Sequence, residues 1–431
     1  MRLRLPSAIG MVFTLLAQAA QAQGILPPTP SQAQGFSVAG LRRLEQHMQD
    51  QVAAGEIGGS VILLARHGQT VLRSAQGSRD LASNAPMNPD ALFRIRSMTK
   101  PVTGLAMMLL YQEGLWSLDD PVTKFIPEFS GLQVVSGLDA AGQPVLAPMT
   151  RPPTMRELMT HTAGFAYGLF RDGPADTAYH DAGVLNSASN QDMIVRIAAQ
   201  PLFGQPGAQW RYSASSDIQG AIIERLSGMP LAEFMRARIF EPLGMRDTGF
   251  HVQPHSLHRL ATLYDLDPVT RTLVAQPERF GIDVAAPPAL ASGGGGLIST
   301  ADDFGRLCQM ILNGGELDGV RLFSPEILDL MRQNHLGDAF MITSNGTRAS
   351  PLGTGVGFGL GWAVWLDPKG SGAPVGAGTV SWGGSAGTWF WIDPANDLYF
   401  IGMVQRLGGT GGGLDAATRN LTYQALVDPS K

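Results

Sequence analysis

The chain has 431 residues, a formal net charge of −5, 44% apolar residues and 16% charged residues. That balance supports a sizeable core in one large domain or two ordinary ones. No long run of Lys and Arg occurs, so the concentrated basic face that nucleic acid or an anionic membrane surface requires is missing.

The start of the chain reads as an address. Arg2 and Arg4 precede a short apolar stretch, Ile9 through Leu16, and Ala20-Gln21-Ala22 supplies the small-x-small pattern at which a secretory signal is cut. The apolar run is far shorter than the roughly 20 residues a membrane-spanning helix needs. The expectation is a signal peptide over 1–22, a loose Pro/Gln/Ser/Thr-rich leader over 23–36, and a periplasmic or secreted mature chain without stable membrane insertion. Cys308 is the only cysteine, which excludes an intrachain disulfide and a cysteine cluster for metal. Its neighbours Phe304, Leu307 and Ile311 predict packed helix core.

In chain order, Leu41, Leu44, Met48 and Val52 share a helical face and predict a helix over about 38–53. The apolar run 59–65, the turn Arg66-His67-Gly68-Gln69 and Thr70-Val71-Leu72 predict a β-hairpin. A helical pattern runs from Ser97 to Tyr111, with Gly114 as its stop. From about 101 to 300, helical segments such as 192–198, 217–226 and 231–239 dominate, between Pro/Gly loops. Strand signals return at 388–393 and 398–404 across the turn Pro394-Ala395-Asn396-Asp397. A closing helix carries Leu414, Ala417, Leu421 and Ala425 on one face. Strands near both ends and helices between them imply an α/β (α+β) fold. Its antiparallel sheet comes from the N- and C-terminal segments, about 37–95 and 297–431, with a helical part, about 96–296, inserted.

Three short motifs carry chemistry. Ser97-Met98-Thr99-Lys100 places a hydroxyl and an amine at i and i+3, on one helix face. A neutral lysine can take the proton that makes serine nucleophilic, and helix N-terminal amides face a developing oxyanion. With Lys124, Lys369 and Lys431 as the only other lysines, this spacing is an uncommon coincidence. Tyr212-Ser213-Ala214 offers a phenol able to relay a proton. Trp382-Gly383-Gly384-Ser385, just before a strand, offers close backbone approach and an amide donor. Each has an ordinary alternative: a plain helix start, a buried tyrosine and a simple bulge.

Taken together, in order and at these separations, the three motifs resemble the serine β-lactamase and penicillin-binding-protein superfamily. Leu158–Phe165, Pro242–Gly249 and Gly293–Ala301 resemble its class C and esterase branch, and the likeness spans about 41–425. The resemblance implies a β-lactamase/transpeptidase-like fold and no cofactor. It makes Ser97 the nucleophile and Lys100 with Tyr212 the base and proton shuttle. Backbone amides of Ser97 and Ser385 would form the oxyanion hole, with Trp382 shaping the acyl pocket. Ala214 stands where many β-lactamases have asparagine, and Trp382 where they have a carboxylate-binding lysine. Both departures resemble the family VIII carboxylesterases and imply a small, rather apolar ester substrate, with weak β-lactam hydrolysis as a side activity. The alternatives are a class C-type β-lactamase or a D-Ala-D-Ala carboxypeptidase, and beyond these a penicillin-binding protein that does not turn over.

Two decoys are set aside. Gly383-Gly384-Ser385-Ala386-Gly387 matches the nucleophile elbow Gly-x-Ser-x-Gly, but a strand rather than a helix should follow it, and no histidine lies beyond His335. His251, His255 and His258 are close in sequence, but Pro254 breaks their helix and no His-Glu-x-x-His is present, so no metal site is expected. His161 is expected to bridge backbone at a turn.

Overall fold

The computed structural model describes residues 34–276, 283–337, 340, 352–408 and 413–428, so the proposed signal peptide and most of the leader lie outside it. The expected first helix is α1, Val38–Ala53, capped by the Ser37 hydroxyl on the Gly40 N–H and buried through Leu41, Leu44 and Met48. The hairpin follows as β1, Gly59–Arg66, and β2, Gln69–Asp80, longer than its apolar pattern suggested. A short β3, Ala85–Pro86, closes that edge.

The remaining strands come from the C-terminal third: β4, Val356–Phe358; β5, Ala363–Trp365; β6, Val380–Gly384; β7, Thr388–Asp393; and β8, Leu398–Met403. Among the described residues they form an antiparallel sheet of order β4-β5-β6-β7-β8-β1-β2-β3, joining both ends of the chain as expected. Every residue of β1 is buried because both sheet faces are covered, which is why this strand reads as a continuous apolar run. Val61, Leu63 and Ala65 enter the larger core, while Ile62 and Leu64 pack with α1, Trp391 and Phe400. Gly402 permits this packing, since a Cβ there would sit 2.1 Å from the ring of Trp389.

The Ser97 helix begins as a 3-10 turn, Arg96–Met98, and continues as α2, Thr99–Gln112, buried on nearly every side from Thr99 to Leu110. It packs against α3, Ser215–Ser227, and α4, Ala301–Leu312, lies on the same side of the sheet, with Cys308 in its buried stripe.

Three expectations need correction. The helical stretch holds two hairpins, Gln133–Leu138 with Pro144–Pro148 and Tyr264–Leu266 with Leu273–Ala275. The helix expected over 231–239 is α-helical only for Leu231–Met235 and continues as a π turn, Arg236–Phe240. The closing helix α5, Leu414–Ala425, buries Leu414, Thr418, Thr422 and Ala425 rather than the face with Ala417 and Leu421. The two threonines can be buried because each hydroxyl donates to a helix carbonyl four residues back, at 2.7 and 2.8 Å. The Trp389 indole N–H then donates to the Thr418 hydroxyl at 3.2 Å.

Candidate active site

Ser97 lies half-buried in the 3-10 turn, directly after Arg96, whose φ of 46° is a strained value for a residue with a side chain. The turn is wedged against the end of β6. Gly384 has no room for a Cβ, which would stand 2.3 Å from the Ile95 carbonyl oxygen, and the Thr388 hydroxyl donates to that same oxygen at 3.1 Å. Ser385 is therefore brought beside the Ser97 turn. It is an exposed residue of a tight turn closed by the Gly387 N–H on the Gly384 carbonyl at 2.9 Å. A strand, β7, follows it, so the nucleophile-elbow reading fails in the structure too.

Lys100 is almost completely buried, and its ammonium has three neighbours: the Ser97 hydroxyl at 3.4 Å, the Tyr167 hydroxyl at 2.7 Å and the Gly294 carbonyl at 2.7 Å. Tyr212 meets it differently. Lys100 Nζ stands 4.5 Å from the centre of the Tyr212 ring, a cation–π contact in place of a hydrogen bond. The expected trio is thus assembled, but the phenol bonded to the lysine is Tyr167, which the sequence reading missed. Burial, with Tyr212 and Asp217 close by, pushes the Tyr167 phenol well above its ordinary value, so it remains protonated.

Tyr167 is held by a buried carboxylate. Asp176 accepts the backbone N–H groups of Tyr167 and Gly168 on one oxygen and those of Phe170 and Arg171 on the other, at 2.7–2.9 Å. The Gly294 carbonyl is aimed by a second one. Asp217, fully buried on α3, accepts from the Ser292 hydroxyl at 2.5 Å and the Gly294 N–H at 3.0 Å. A Cβ on Gly294 would reach 2.4 Å from the other Asp217 oxygen, which explains a glycine there. Thr99 and Thr103 of α2 tie down the same loop through the Leu297 N–H and the Gly293 carbonyl.

Tyr212 is positioned by His161. The Arg211 N–H donates to the His161 carbonyl at 2.8 Å, the Ser213 N–H donates to His161 Nδ1 at 3.3 Å, and the imidazole packs 5.1 Å from the Tyr212 ring. His161 therefore bridges two loops rather than one turn. Burial, reinforced by the Lys100 charge, holds its pKa down at about 3, so it is neutral. Ala214, fully buried, donates its N–H to the Ala166 carbonyl and presents only a methyl group. Trp382 and Trp210 flank Tyr212 at ring distances of 5.8 and 6.3 Å, and Phe358 touches both indoles. The result is a serine beside a buried amine, two phenols and an aromatic wall.

Comparison with known proteins identifies the family and the fold. The beta-lactamase family model matches residues 44–424. Protein Rv1367c of Mycobacterium tuberculosis is 38% identical over 358 residues, covering 82% of this chain and 86% of the relative. Esterase EstB of Burkholderia gladioli is 34% identical over 420 residues, covering 92% and 98%. Among solved structures, EstCE1, described as a hydrolase with promiscuous acyltransferase activity, superposes with a TM-score of 0.74 at 30% identity, covering 90% of this chain and 100% of that one. With its Ser-x-x-Lys turn lodged between a buried helix and the end of an inner strand of an antiparallel sheet, the chain belongs to the beta-lactamase family of serine hydrolases.

Proposed function

We propose that the protein is an exported carboxylesterase that cleaves small, rather apolar acyl esters through an acyl-enzyme on Ser97. The observation that carries this reading is the buried Lys100 side-chain nitrogen, 3.4 Å from the Ser97 hydroxyl and facing the Tyr212 ring. With the amine neutral, the Ser97 oxygen attacks the ester carbonyl carbon while its proton passes to Lys100. Backbone N–H groups of Ser97 and Ser385 receive the carbonyl oxygen as it gains charge. The C–O bond to the alcohol then breaks; Tyr212 gives its phenol proton to the leaving oxygen and takes up the proton held by Lys100, which leaves the amine neutral again. Water repeats the sequence on the acyl carbon, releasing the acid and restoring Ser97. Tyr167 and Gly294 orient the amine.

Trp382, Trp210 and Phe358 favour an apolar ester over a carboxylate-bearing β-lactam, and the similarity to Esterase EstB supports the same choice. A second reading, transfer of the acyl group to an alcohol instead of water, is favoured by the likeness to EstCE1 and by the same aromatic wall, which disfavours water. Export rests on Arg2, Arg4 and the Ala20-Gln21-Ala22 pattern. Parallel assays with p-nitrophenyl butyrate and nitrocefin test the substrate reading: fast ester cleavage with little nitrocefin turnover supports it, and the reverse makes the protein a β-lactamase. Adding a primary alcohol and looking for the new ester tests transfer.

A further inference from the structure

A cavity of about 380 Å³ lies on the opposite side of the sheet from Tyr212. Strand register fixes this placement. Val356 pairs with Trp365, Ala363 with Ser381, Ser381 with Trp391, and Gly383 with Trp389, so these side-chain positions share one face. Trp382 and Phe390 also border the cavity, but their rings pack on the other face, Trp382 against Tyr212 and Phe358 and Phe390 against Phe304. The first turns of α5 roof the cavity with Asp415 and Arg419.

Arg419 is the unusual member. Its guanidinium lies over the Trp365 ring at 5.0 Å, and among the described residues no carboxylate stands within ion-pair distance of it. Burial lowers its pKa from the ordinary arginine value, although Asp415 one helical turn away and Tyr423 act in the opposite direction. Ser381 accepts the Trp365 indole N–H at 3.2 Å and keeps its own O–H to donate. Gly383 leaves the space open without any backbone need for glycine. Its φ is not positive, and a Cβ would meet only the Thr388 carbonyl oxygen at 3.3 Å and Trp389 Cβ at 4.0 Å.

We propose that this cavity is a second binding site, for a small monocarboxylate with an aromatic or aliphatic body. The carboxylate supplies the direct ion pair that no described carboxylate makes with Arg419, in the planar geometry a guanidinium fork accepts, with the Ser381 hydroxyl as a further donor. The body lies against the indole surfaces of Trp365, Trp389 and Trp391. Asp415, one helical turn before Arg419, repels a second negative group and so selects against dicarboxylates. The site sits behind the strand that carries the Trp382–Ser385 segment, and it stands on the cavity whatever the reaction at Ser97.

Titration of intrinsic tryptophan fluorescence with 3-phenylpropionate tests this. The wild type should bind it saturably, and the neutral probe 3-phenylpropanamide at least tenfold more weakly. Arg419→Met should lose at least tenfold in affinity, as should Ala363→Leu, which fills the cavity and keeps the arginine. Trp210→Ala, on the other face of the sheet, should bind the acid as the wild type does. If Arg419→Met does not fold, Ala363→Leu and the amide decide. Undiminished binding by Ala363→Leu, loss of binding in Trp210→Ala, or no saturable binding by the wild type overturns the proposal.

Discussion

Lys100 donates its 2.7 Å hydrogen bond to Tyr167, and it meets Tyr212 only through the ring face, 4.5 Å from its centre. The two phenols should therefore fail differently. Tyr167→Phe removes an orienting bond from the amine and should lower kcat by about 10- to 100-fold with KM changed by less than about threefold. Tyr212→Phe removes the proposed proton shuttle and should lower kcat by about 10²–10⁴-fold. Steady-state kinetics on p-nitrophenyl butyrate check both, and equal losses would refute the division of roles.

His161 gives a pH dependence to stability. An imidazole in the unfolded chain takes up a proton near its ordinary value of 6.5, whereas the buried His161 does so only at about 3. Between those values the unfolded state holds more protons, so stability falls as pH drops from about 6.5 toward 3. His161→Asn keeps an acceptor for the Ser213 N–H and tolerates the φ of 59°, but cannot ionise. Relative to this variant, the wild type should lose on the order of 2 kcal/mol more stability between pH 6.5 and 4.5. Denaturant unfolding at the two pH values measures it.

The partners of Lys100 also mark what could be read from the chain alone. The helix at 38–53, the β1–β2 and β7–β8 hairpins and the Ser97/Lys100 spacing follow from local periodicity and turn chemistry, and each is in the structure. Tyr167 and Gly294 reach Lys100 across 67 and 194 residues, and no local pattern marks such contacts. Asp176 and Asp217 look like ordinary first-turn helix acids, and only the fold reveals that each organises a loop at the site. The two extra hairpins were missed because their strands are largely exposed, which leaves no apolar alternation to read.

Gly384 is a packing requirement of the site. A methyl group at 384 would stand 2.3 Å from the Ile95 carbonyl oxygen and 2.4 Å from the Thr388 hydroxyl oxygen. Gly384→Ala should push the β6 end from the Ser97 turn and cut kcat/KM by at least about 100-fold, since misplacement by about 1 Å costs that much. Ester kinetics alongside a thermal melt separate misplacement from unfolding.

Trp382 is the residue on which substrate choice turns. Trp382→Lys puts a cation beside Tyr212 in place of an indole. The ratio of nitrocefin to butyrate-ester turnover should rise by about tenfold or more, mostly through a lower nitrocefin KM. An unchanged ratio would show that the indole does not set the preference.

The most direct test of the central claim is intact-mass spectrometry after rapid acid quench of the protein reacting with p-nitrophenyl butyrate. The wild type and Ser385→Ala should gain one butyryl group, mapped by peptide digestion to Ser97, and Ser97→Ala should gain none. A butyryl group on Ser385, or ester turnover undiminished in Ser97→Ala, would contradict the account.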